Sequence, residues 1–77
     1  MNLREHIHSD PTVMLGKPTI RGTRITVELV FRKLAEGATE DDLLRAYPRL
    51  TRDAIRAAME YAADMIAHEE TVTAAVP

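Results

Sequence analysis

Seventy-seven residues with ten Lys/Arg against twelve Asp/Glu, net charge −2, make one small domain at most and exclude an overtly basic nucleic-acid binder. The absence of cysteine excludes disulfides and thiolate metal sites, and no apolar run approaches the roughly 20 residues a membrane span requires. Two Tyr, one Phe and no Trp leave the core to aliphatic side chains, so a homodimer or a stable protein partner is expected to complete it.

The net charge conceals an asymmetry. Residues 1–37 carry an excess of cations, and residues 38–77 an excess of anions. Any contact with nucleic acid must therefore come from a local patch. The beginning of the chain has no apolar core of a signal peptide, and with no cysteine the expected compartment is the cytoplasm.

Along residues 1–15, Ile7 lies between His6 and His8, and Val13, Met14 and Leu15 form a short apolar run. Asp10-Pro11 is a turn signal between them. Short strands are predicted near 5–8 and 12–15. His6 and His8 share a face if this is a strand, but no third ligand is spaced to join them, and ordinary surface histidines are the expectation. Ser9, beside His8 and Asp10, is no triad, because neighbours on an extended segment point to opposite faces. No metal, cofactor or catalytic set is predicted, and the chain reads as a non-enzyme.

Residues 16–26, Gly-Lys-Pro-Thr-Ile-Arg-Gly-Thr-Arg-Ile-Thr, are the most distinctive stretch. Pro18 pushes Lys17 into an extended conformation. The sequence leaves two forms open: a tight hairpin about Gly22-Thr23, or one irregular strand with a glycine bulge. A phosphate loop is excluded. Pro11 stands where its first glycine belongs, and Pro18 replaces the hydroxyl residue after the lysine. Lys17, Arg21, Thr23 and Arg24 are candidates for contact with a partner protein or a second copy, because a short strand with an unpaired edge seeks a pairing strand.

Three helices follow. Thr26 is placed as N-cap of the first, about 27–36, with Ile25 and Val30 as a hydrophobic staple and Gly37 as its terminator. Thr39 caps the second, about 40–46. Asp41 and Asp42 suit the positive end of that helix dipole, and Asp42 makes only a near-miss capping box because Asp is shorter than Glu. Pro48 stops this helix. Thr51 caps the third, about 52–67, with Leu50 and Ile55 as a second staple. Its apolar stripe is Ile55, Met59, Ala62 and Ile66, widened by Ala58 and Met65. The pattern predicts a mainly α fold, a tri-helical helix-turn-helix bundle of the homeodomain-like or winged-helix-related kind with short N-terminal strands. Residues 1–67 form the domain, with an extended or β segment over 1–25, and 68–77 form a flexible tail.

In such a fold the start of the third helix lies in the major groove of DNA. Arg45, Arg49, Arg52 and Arg56 surround that point and are the candidate DNA-binding residues, since guanidinium forks suit phosphate and guanine edges. The competing reading is a solvated face with Arg49 paired to Asp53 and Arg56 to Glu60.

Asp10-Pro11-x-Val13, Gly16-Lys17-Pro18-x-Ile20-Arg21-Gly22-Thr23-Arg24-Ile25-x-Val27, Leu34-x-x-Gly37, Tyr47-Pro48-x-Leu50-Thr51 and Tyr61-Ala62 together resemble the bacterial domain of unknown function 433, over about residues 4–67. The resemblance implies a small helix-turn-helix-like fold, often encoded beside a toxin with a PIN-like nuclease fold, and membership of the VapB-type antitoxins of type II toxin–antitoxin pairs. The expectation is therefore an antitoxin. It neutralises a PIN-like ribonuclease toxin through residues 1–15 or the segment after Ile66, and binds operator DNA as a dimer for transcriptional regulation. The alternative is a small protein-interaction or dimerisation module without DNA binding.

Overall fold

The computed structural model describes residues 3–10, 12 and 16–74. A 3-10 turn (Leu3–His6) leads into β1 (Ile7–His8), which pairs antiparallel with β2 (Thr19–Ile20). Then come α1 (Val27–Ala35), α2 (Glu40–Ala46) and α3 (Arg52–Ala74). The domain is mainly α, with three helices and one two-stranded antiparallel pair.

Residues 16–26 take the closed form of the two left open by the sequence. Thr23 N–H donates to Ile20 O (3.0 Å) and Ile20 N–H donates to Ile25 O (2.8 Å), so the chain turns back on itself across Arg21–Arg24. The turn requires positive φ at Gly22, where φ is 80°, a region in which a Cβ is disfavoured. Behind it Thr19 bridges to Thr26, and Val27 N–H donates to Pro18 O (2.9 Å). The outer edge of the loop is taken by the N-terminal segment, with Ile7 opposite Ile20 and His8 opposite Thr19. Two strand residues per side cannot hold alone. They persist because Ile20 is buried in the helical core and Ile7 packs against it.

Two N-terminal expectations change. The predicted strand near 5–8 is a 3-10 turn through His6, followed by two strand residues. That turn packs along α3. The strand expected near 12–15 falls, apart from Thr12 in a turn, outside the described residues.

The helix starts follow the threonines. Thr26 Oγ1 accepts from Leu29 N–H (2.9 Å), and Thr51 Oγ1 accepts from Ala54 N–H (3.0 Å). At α2 the capping box is complete: Asp42 N–H donates to Thr39 Oγ1 (3.1 Å), and Thr39 N–H donates to an Asp42 carboxylate oxygen (2.9 Å). The shorter side chain reaches after all. Gly37 ends α1 at φ 103°. The core gathers Ile20, Val27, Val30, Leu43, Leu50, Ala54, Ile55 and Ala58, so each helix contributes and each staple pair meets there.

The end of α3 also differs. It does not stop near 67 but continues through His68 to Ala74. Nothing in the segment compels a stop: Thr71-Val72-Thr73 lowers helix propensity only slightly, and the first proline is Pro77. Replacing Thr26 by Val keeps its bulk and removes the cap. Urea unfolding should then show a loss of about 1 kcal/mol, and an unchanged midpoint would contradict the assigned cap.

Candidate nucleic-acid interface at the α2–α3 turn

The four basic-patch residues predicted around α3 divide into two kinds. Arg45 pairs with Asp42 (2.6 Å), three residues earlier on α2. Arg52 donates to Asp41 and lies 3.7 Å from Glu40, tying the start of α3 to the start of α2. Arg49 and Arg56 are exposed, and neither side chain makes an ion pair or hydrogen bond among the described residues. The alternative pairs, Arg49 with Asp53 and Arg56 with Glu60, do not form.

The residues expected to contact a partner divide likewise. Lys17 Nζ lies 2.9 Å from Glu28 on α1. Arg21 holds the N-terminal turn, its Nε donating to Glu5 O (2.6 Å) and its backbone N–H to His6 O (2.7 Å). Thr23 is a turn residue, its hydroxyl donating to Ile20 O (2.8 Å) and accepting from Ile25 N–H (3.0 Å). Arg24 is exposed, and its side chain has no such partner among the described residues.

Folding brings two of the leftover cations together. Arg24 and Arg49, remote in sequence, line one open recess of about 240 Å³ with Thr23, Ile25, Ala46, Tyr47 and Pro48. The turn at Gly22 sets Arg24 on one wall. The break forced by Pro48, with Leu50 N–H donating to Tyr47 O (2.9 Å), sets Arg49 on the other. Tyr47 is half-buried and packs against the core, so the recess has a fixed apolar side. Two guanidinium groups beside an apolar wall suit a sugar–phosphate chain or an acidic peptide: the forks grip oxyanions and the wall takes the less polar part. The sequence signalled each arginine but not their meeting, which depends on how the loop docks on α2. Arg56 lies further along α3, beside Met59, Glu60 and Ala63.

The nearby acids are largely occupied. Three hydrogen bonds, from the Thr39 backbone first, then from Arg45 and the Thr39 side chain, hold the Asp42 carboxyl below its ordinary range. Hydrogen bonds from Lys17 and then Arg32 lower Glu28 in the same way. Asp41 and Glu40 are engaged by Arg52. The acids at the start of α2 are therefore spent on internal pairs, and Asp53 is the exposed acid nearest the recess in sequence.

A small three-helix domain closed by one antiparallel strand pair, with a cationic recess beside the α2–α3 turn, is the class of protein that these features define. Residues 7–62 match the family model described as a protein of unknown function, DUF433, and the chain belongs to that family. A similar protein is the uncharacterized protein y4eO of Sinorhizobium fredii (strain NBRC 101917 / NGR234), 39% identical over 59 residues, which are 77% of this chain and 27% of that protein. The chain thus matches only about a quarter of that relative's length. A similar solved structure is that of a DUF433 member protein from Anabaena variabilis ATCC 29413, with a TM-score of 0.78 and 32% identity over 94% of this chain and 71% of that one. No helix among the described residues is long and apolar enough to cross a membrane.

Lowered carboxyls at Asp42, Glu28 and Asp10, the last lowered first by the Thr12 backbone hydrogen bond, give the domain an acid limb. A carboxyl with a depressed folded pKa stabilises the fold above its ordinary range, and that contribution disappears as pH falls through the folded value. Thermal melts from roughly pH 5 to pH 2 should show a falling midpoint, and Asp42→Asn should remove part of that fall while lowering the midpoint at neutral pH. An Asp42→Asn profile parallel to the parent profile would contradict the assignment.

Proposed function

We propose that this protein is a DNA-binding antitoxin whose α2–α3 turn engages the operator through Arg24 and Arg49, and which neutralises a PIN-like ribonuclease. The observation that carries the DNA half is the pairing of two side chains without internal partners across one open recess. Most cations elsewhere on the domain are held by a carboxylate or a carbonyl. Cations left without counter-charge at a fixed turn are available to phosphates, whose counterions they release on binding. The helix order supports the same reading. α2 and α3 meet at a short proline-containing turn, and the exposed first turn of α3 is the part that a helix-turn-helix sends into the major groove. The antitoxin half rests on the resemblance of the Gly16–Val27 motif to its family.

Within this reading Arg45 and Arg52 brace the two helices, and Arg24 takes a place among the DNA contacts that the sequence had reserved for the α3 group. The rival reading, a protein-interaction module without DNA binding, is favoured by one observation: Met59 and Ile66 are exposed on α3, at 39% and 55% of their full surface.

Fluorescence anisotropy on duplex DNA from upstream of the protein's own coding region tests the proposal. Binding should weaken as salt rises, and an Arg24→Ala/Arg49→Ala double variant should lose affinity and reduce the salt slope by about two phosphate contacts, each worth a slope of roughly 0.9. Absence of binding at low salt, or binding that the double variant leaves unchanged, would overturn it.

A further inference from the structure

We propose that Arg52 is a third phosphate contact of the same interface, one that Asp41 and Glu40 hold in reserve until DNA arrives. The proposal rests on the operator reading given above and adds to it the residue at the head of α3. Arg52 opens α3 and stands three places after Arg49, just beyond the Thr51 cap. Arg49 lines the recess. The Arg52 guanidinium instead reaches across to the first turn of α2, donating to Asp41 and lying 3.7 Å from Glu40.

This contact can be exchanged. All three side chains are open to water, Arg52 with 59% of its side-chain surface, Glu40 with 43% and Asp41 with 68%. Such a pair contributes little to holding two helices together, because water screens the attraction and long side chains must be ordered to make it. Nor do the helices depend on it. They meet through buried Leu43, Leu50, Ala54 and Ile55, and the turn between them is closed by Leu50 N–H on Tyr47 O. The acids are equally independent. The capping box of α2 is made by Thr39 and Asp42, and Glu40 and Asp41 lie in a first turn, where a carboxylate is favoured. Arg52 can therefore leave them without loosening the fold or stranding a buried charge.

The charges give the consequence. Two carboxylates on one guanidinium leave a surplus anion on this flank, beside the recess where Arg24 and Arg49 have no counter-charge among the described residues. A phosphate chain drawn to the recess meets attraction there and, on this flank, a cation already cancelled. The planar fork of arginine serves carboxylate and phosphate alike, so a phosphate brought close by Arg24 and Arg49 competes with the acids for it. While both acids stand beside it, Arg52 brings no net positive charge to DNA, and few counterions are released on its account. The acids thereby keep affinity for an arbitrary duplex low.

Fluorescence anisotropy on the same upstream duplex tests the proposal, with circular dichroism as the check on folding. Glu40→Gln/Asp41→Asn should bind at least about threefold more tightly than the parent, with a salt slope steeper by roughly 0.9, one further phosphate contact. The same two substitutions placed on Arg52→Ala should bring neither gain, because the acids act through the guanidinium. Acids that merely repel DNA would give the same gain with or without Arg52. That result would overturn the inference, as would a Glu40→Gln/Asp41→Asn variant no tighter than the parent. The two readings fail separately. A parent that binds no DNA, beside a variant that binds through Arg52, overturns the operator reading of the parent and upholds the reserve contact. A parent that binds through Arg24 and Arg49, with no gain from the two substitutions, overturns the reserve contact alone. Absence of binding by all of these proteins overturns both.

Discussion

Thr26 is the residue on which the arrangement depends. It is buried, it bridges to Thr19, its side chain caps α1, and its carbonyl accepts from Val30 N–H (3.2 Å). These roles can coexist only if residues 18–27 close on themselves, which Gly22 permits by taking a backbone conformation that other residues avoid. Once closed, the loop presents Ile20 inward to Val30 and Leu43, and its outer edge to the N-terminal strand. It also fixes the place of Arg24. The distinctive Gly16–Thr26 stretch thus ties the N-terminal segment to the first helix and, on its outer side, builds half of the cationic recess.

The helices were legible in the sequence because their signals are local. Thr26, Thr39 and Thr51 cap within their own first turns, and Gly37 and Pro48 act on neighbouring residues. The N-terminus was less legible, since a two-residue strand such as Ile7–His8 exists only through the element it meets. The choice between hairpin and bulge at Gly22 was likewise settled by tertiary contact. Asp42 shows a smaller lapse: a preference for Glu in capping boxes does not forbid Asp when the helix start is tight. The extension of α3 to Ala74 is not legible, because the apolar periodicity fades before the helix ends. The fading marks only the end of packing within one chain.

The recess was half legible. Arg49 stood out because it adjoins the turn before α3. Arg24 stood out as a loop cation. Nothing in either neighbourhood said that the two line one recess, because their proximity is a product of how the loop lies on Tyr47 and Pro48. The ion pairs were the other hidden part. From the sequence, Arg45 and Arg52 are as good candidates for phosphate contact as Arg49. In the fold, Asp42 and Asp41 claim them, and those same acids are thereby removed as a source of repulsion. Net charge is a poor guide here because many of the charges are sorted into pairs, and two cations without counter-charge, Arg24 and Arg49, meet at the recess.

This sorting gives α3 two regions with different tasks. Its head is braced to α2 through Arg52 and stands beside the recess, and its distal half offers an apolar face that the domain does not cover. The direct test of the central claim, that the recess is the nucleic-acid contact surface, is a ¹H–¹⁵N NMR titration with a short duplex. The account predicts that the amides that move lie at Thr23–Ile25 and from Ala46 to Thr51. Movements confined to the N-terminal strand or to the distal half of α3, with those two segments still, would contradict it.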